Sequence, residues 1–73
     1  MSAVQIYVPL IDEGTEVWRP VQARALGGGE FEIIDLEPPG ECWQFQRGSR
    51  VRCRMKVFSG GESGLVAYEA VAP

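Results

Sequence analysis

Residues Arg50 to Phe58 read Arg-Val-Arg-Cys-Arg-Met-Lys-Val-Phe, an unbroken alternation of cationic and apolar side chains. Successive side chains of a strand point to opposite faces, so this is a strand with one apolar face and one cationic face. As a helix it would spread its cations round the circumference and present no apolar stripe.

The same period recurs along the chain. Val4 to Leu10 puts Val4, Ile6, Val8 and Leu10 on one side, and Pro9 marks a strand end or an edge. Ile11 to Thr15 reads as an acidic turn. Glu16 to Leu26 places Val17, Val21, Ala23 and Ala25 on one face, with Trp18, Gln22 and Arg24 on the other. Pro20 within it predicts a bend, a bulge or an edge. Gly27-Gly28-Gly29 closes that stretch as a hairpin turn. Glu30 to Leu36 sends Phe31 and Ile33 inward, then Ile34 and Leu36, a switch of parity that a bulge or barrel corner produces.

Pro38-Pro39-Gly40 is a rigid turn, after which Glu41 to Gln46 reads as a strand burying Trp43 and Phe45. A three-residue turn over Arg47-Gly48-Ser49 would pair Trp43 with Cys53 and put both apolar sets on one face. Cys42 and Cys53 then face opposite ways and cannot be bridged, which leaves one core thiol and one incidental thiol near a turn. Ser59 to Gly64 is a Gly-rich turn. Leu65 to Val71 is apolar on both sides, which predicts burial on both. Short strands, tight turns and no helix predict an all-β fold, a small SH3-like or otherwise barrel-like antiparallel domain of five to six strands spanning residues 1–73. A two-sheet sandwich is the alternative.

Composition narrows the chemistry. With 73 residues, the chain buries roughly 60% of its unfolded surface and would be stable by about 4–11 kcal/mol. The absence of histidine removes the commonest general base and the commonest metal ligand. Two cysteines without histidine do not complete a structural zinc site. Gly27-Gly28-Gly29 lacks the Lys-Ser/Thr and the helix of a phosphate loop. Neither catalysis nor a cofactor is expected. No apolar run approaches a membrane span. Met1-Ser2-Ala3 leads straight into strand-like sequence, so no signal peptide and a cytoplasmic location are expected.

Two charged features point to binding. Asp12, Glu13 and Glu16 crowd an acidic turn beside Trp18 and Arg19. Arg50, Arg52, Arg54 and Lys56 line one strand face, either as edge protection or as a docking surface for acidic groups. The parity of Trp18 puts it on the outer surface, where tryptophan is enriched at binding hot spots, unless a bend at Pro20 returns it to the core. The expected partner-binding residues are therefore Asp12, Glu13, Trp18, Arg19, Arg50, Arg52 and Arg54. The partners expected are another copy, as a dimer or tetramer, and a further protein. Nucleic acid stacked on Trp18 or Tyr7 is the second reading, disfavoured by the net charge of −3. A small-ligand or enzyme site is the third.

The string Val8-Pro9-Leu10-Ile11-Asp12-Glu13-Gly14-Thr15-Glu16-Val17-Trp18-Arg19-Pro20-Val21 resembles a group of small, uncharacterised bacterial proteins. So do Glu41-Cys42-Trp43-Gln44-Phe45, Gly48, Val51-Arg52-Cys53 and Gly64-Leu65-Val66-Ala67. Some similar proteins are encoded on mobile gene cassettes. The resemblance covers most of the chain. It implies a compact β fold and a bacterial source, and it carries no catalytic residues over.

Overall fold

The computed structural model describes residues 3–11 and 17–71. Five strands close into a barrel in sequential order: β1 (Ala3–Pro9), β2 (Trp18–Gly27), β3 (Glu30–Ile33), β4 (Arg50–Val57) and β5 (Ser63–Ala70). Each strand pairs antiparallel with the next. The barrel closes by one parallel pairing of β1 with β5, Tyr7 opposite Val66. Among the described residues no helix is long and apolar enough to cross a membrane.

Alternation builds the interior as the sequence predicts. Ile6 and Val8 of β1, Val21 and Ala23 of β2, Ile33 of β3, Val51 of β4 and Ala67 of β5 are all buried in one cluster. Each of the larger aliphatic side chains stabilises by about 1.5–3 kcal/mol on burial. Gly28 and Gly29 both have positive φ, the geometry of the two-residue hairpin that joins Gly27 to Glu30. The proline in β2 sits where that strand has only β1 as its strand neighbour, so its missing N–H breaks no inter-strand ladder. The register shift in β2 falls further on, between Ala25 and Gly27.

Four expectations are corrected. Glu41 to Gln46 is not a strand of the barrel, and Trp43 does not face Cys53. The edge of β4 that it would have used is taken by β3, with Phe31 opposite Val51. Trp43 instead forms an isolated bridge to Leu10, flanked by Gln44 N–H donating to Pro9 O (2.9 Å) and Ile11 N–H to Cys42 O (2.8 Å). The segment lies against the far end of β1 and drops Trp43 and Phe45 into the core, so the predicted burial holds although the predicted pairing does not.

Second, β3 ends at Ile33, and Ile34 and Leu36 are exposed rather than inward. The chain follows β2 for one more step, Ile34 N–H donating to Gln22 O. The Asp35 carboxylate then accepts the Gln22 N–H (2.9 Å) and ends the ladder. Third, the apolar face of β4 is dry only in its first half: Met55 and Val57, 67% and 70% exposed, run past the end of the core. Fourth, β4 is flanked on both sides only as far as Arg52, so Arg50 and Arg52 do not protect an edge, whereas Arg54 and Lys56 lie past the last pairing with β3.

A β-bulge in β5 sets which of its side chains turn inward. Arg52 pairs with Glu69 and Cys53 with Ala67, which leaves Tyr68 as the extra residue. Ala67 consequently faces the core. Val66, opposite Arg54 and Tyr7, is buried outside that cluster, under the seam where the barrel closes. The two-sided burial expected of Leu65 to Val71 is realised only at Val66 and Ala67; Tyr68, Glu69 and Ala70 are exposed. The two cysteines are unbridged, Cys42 exposed and Cys53 half-buried against the core.

Candidate functional site

The outer face of β2, β3, β4 and β5 carries alternating charges in register. Arg24 is ion-paired to Glu32, which lies opposite Arg50 on β4. Arg52 is flanked by Glu69 at 3.0 Å and Glu30 at 4.0 Å. Exposed cross-strand pairs of this kind contribute about 0.2–1 kcal/mol each. Arg52 is therefore part of a neutral lattice, and the face that the sequence presents as wholly cationic is cationic only further along the strand.

That remaining stretch is where aromatic rings gather. The Arg54 guanidinium lies 4.9 Å from the centre of the Tyr68 ring, and Lys56 Nζ 5.8 Å from that of Trp18. Trp18 meets Phe58 edge-on at 6.4 Å, and Phe58 packs on Tyr7 at 4.9 Å. Beyond the Tyr7–Val66 pairing, an open groove of ≈ 430 Å³ runs beside β5. Val66 and Ala67 line it along β5, with Pro9 and Gln44, and Trp18, Tyr68, Arg54 and Lys56 bring it its rings and cations. Its size is that of a small-ligand or peptide site, ~300–1,000 Å³. Among the described residues no carboxylate lines it.

The chain matches no known protein family, no curated protein and no solved structure. The groove's own chemistry must therefore carry the functional reading. Among the described residues no group of three or more Cys, Asp or Glu is placed to hold a metal. Burial pushes the Cys53 thiol up to about 11, so it stays protonated and a poor nucleophile at neutral pH. What the groove offers is ring faces, two cations and an apolar strip.

The residues singled out from sequence fall into three sets. Trp18 and Arg54 meet in the groove. Arg50 and Arg52 stand on the charge lattice, away from it. Arg19 is ion-paired to Glu41, with its Nε donating to Oε1 at 3.1 Å. Asp12 and Glu13 lie outside the described residues. Tyr68 was missed as a site residue, because its bulge position leaves no trace in the local alternation. The pairing of Arg54 with a ring rather than a glutamate has no local signal either.

Arg19 belongs to a clamp on the segment after β3. Glu41 Oε1 also accepts the Trp43 indole N–H at 2.9 Å, and Glu37 accepts the Trp43 backbone N–H at 2.6 Å. The Trp43 hydrogen bond, helped by Arg19, holds the Glu41 carboxyl below its ordinary 4.5. A carboxyl lowered on folding adds stability above its unfolded pKa and loses it as pH falls through the folded value. Melting temperatures taken from pH 7 down to pH 3 should therefore fall more steeply for the native chain than for Glu41→Gln. Parallel curves would show that the ionised carboxylate contributes nothing.

Proposed function

We propose that this chain is a non-catalytic interaction module that binds protein, itself included, through the groove beside β5. The observation that carries the reading is the meeting of Trp18, Tyr68 and Arg54 around an open groove with Val66 beside them. Tryptophan, tyrosine and arginine dominate binding hot spots because each brings large contact area and a directed polar group. A guanidinium stacked on a ring uses its face for the ring and keeps its N–H fork edge-on for an anionic group. Arg54 lies 4.9 Å from the Tyr68 ring centre, whereas Arg19, Arg24 and Arg52 hold glutamates. The groove therefore favours a segment bearing both carboxylate and apolar side chains.

The test is a titration of isotope-labelled protein with a blocked hexapeptide of alternating Glu and Leu, followed by NMR. Shifts centred on the Trp18 indole, Arg54, Val66 and Tyr68, with Kd on the order of 1 mM or tighter, are the expected result. No shift at these residues would overturn the groove as a protein site.

Single-stranded nucleic acid is the second reading, favoured by the same two rings and two cations, a small stacking platform. Glu30, Glu32 and Glu69 on the neighbouring outer face oppose a phosphate backbone. An oligo-dT arm of the titration separates the two: a response that collapses steeply with added salt would replace the protein reading.

A further inference from the structure

The chain carries a segment whose chemistry is the complement of its own groove. Ile34-Asp35-Leu36-Glu37 presents two exposed apolar side chains between carboxylates, and Leu36 is 70% exposed. The segment is anchored, which limits the entropy lost when it docks. Ile34 N–H donates to Gln22 O, Asp35 accepts from Gln22 N–H, and Glu37 accepts from Trp43 N–H. Each recorded bond to a carboxylate uses a single oxygen, so the other can take a guanidinium.

The groove has the opposite endowment: Arg54, ring faces, an apolar strip and, among the described residues, no carboxylate lining. The two surfaces are built from different residues. Ile34 and Asp35 bond to β2 at Gln22, whereas the groove lies beside β5, past the point where it meets β1. Within one copy the bonds of the segment go to Gln22 and Trp43, neither of which lines the groove.

We infer that the occupant of the groove is the Ile34–Glu37 segment of a second copy, with Leu36 seated between Trp18 and Tyr68 and a neighbouring carboxylate on Arg54. This rests on the reading of the groove as a protein site and adds the identity of its partner. The contact joins two different patches, so each copy has a groove to offer and a segment to give, and assembly proceeds to a closed ring or a longer array.

The experiment is light scattering behind a sizing column on wild type, Leu36→Ser, Arg54→Glu and an equimolar mixture of the two variants. Both substituted side chains are exposed, and near-ultraviolet circular dichroism confirms that each variant is folded. Wild type should run as a multiple of 8.0 kDa, and each variant alone should fall towards a single chain. The mixture should regain mass, because one intact segment then meets one intact groove. A wild type of one chain mass at all concentrations overturns the inference, as do variants that keep the wild-type mass or a mixture that stays monomeric. The hexapeptide titration distinguishes the failures. A monomer that still binds the peptide at Arg54 and Tyr68 leaves the groove reading standing and removes only the second copy. A monomer that binds nothing removes both.

Discussion

Replacing Trp43 by alanine should destabilise the domain by about 3–5 kcal/mol, the usual cost of truncating a buried tryptophan. For a chain whose whole stability is about 4–11 kcal/mol, that is enough to leave a large unfolded fraction. The reason lies in what the side chain closes. Trp43 is 4% exposed and packs into the same cluster as residues from all five strands, although its own segment is not a strand. Its removal leaves a void where Glu41 to Gln46 seals the core against the far end of β1. It also strips Glu41 of the indole hydrogen bond that is the first cause of its lowered pKa.

The contribution of that bond can be separated from that of the ring. Trp43→Phe keeps most of the apolar volume and loses the donor, so it should cost the hydrogen bond, about 0.5–1.5 kcal/mol, plus a smaller packing loss. Urea unfolding of both variants reads the two figures. If Trp43→Ala cost only ~0.5 kcal/mol, as an exposed position would, the segment would not be part of the core at all.

Trp43 also shows how far the sequence could be read. Its burial was legible, since Trp43 and Phe45 alternate with Gln44 and Gln46. Its partner was not. Alternation states which face a residue takes and is silent on which strand lies alongside; the edge of β4 went to β3, which is more distant along the chain than Glu41 to Gln46. The neutralisation of Arg52 was hidden for the same reason, because Glu30 and Glu69 reach it from two other strands. Ile34 and Leu36 look like core residues by composition, and they are exposed because the Asp35 carboxylate takes the Gln22 amide and ends the strand. The positions of β1, β2, β4 and β5 rest on local signals, whereas the closure of the barrel rests on the pairing of Tyr7 with Val66. The groove rests on one bulge at Tyr68 and one pairing across the seam, and neither has a local signature.

That seam sets the second large effect. Gly64→Val should destabilise the domain by about 1–3 kcal/mol through overpacking, with Gly64→Ala towards the lower end. A Cβ at this position would stand 2.6 Å from Tyr7 Cε1, 3.0 Å from its Cδ1 and 3.4 Å from Phe58 Cε2. The Tyr7 ring has little freedom to yield. It packs on Phe58 at 4.9 Å, and its hydroxyl accepts from Gln5 Nε2 at 3.0 Å. The same residue makes the pairing to Val66 that closes the barrel, so moving the ring strains the one point where β1 and β5 are joined.

Gly60 is the control, because a Cβ there meets nothing within 4 Å. Gly60→Ala should be neutral or stabilising by about 0.4–1 kcal/mol, through the loss of backbone freedom in the unfolded chain. The decisive measurement is a double-mutant cycle. If contact with the Tyr7 ring is what Gly64→Ala costs, most of that cost should vanish in a Tyr7→Ala background, as a coupling of about 0.5–3 kcal/mol. Equal costs in both backgrounds would mean that the glycine is needed for its backbone, and that the ring lying over it is not what closes the barrel.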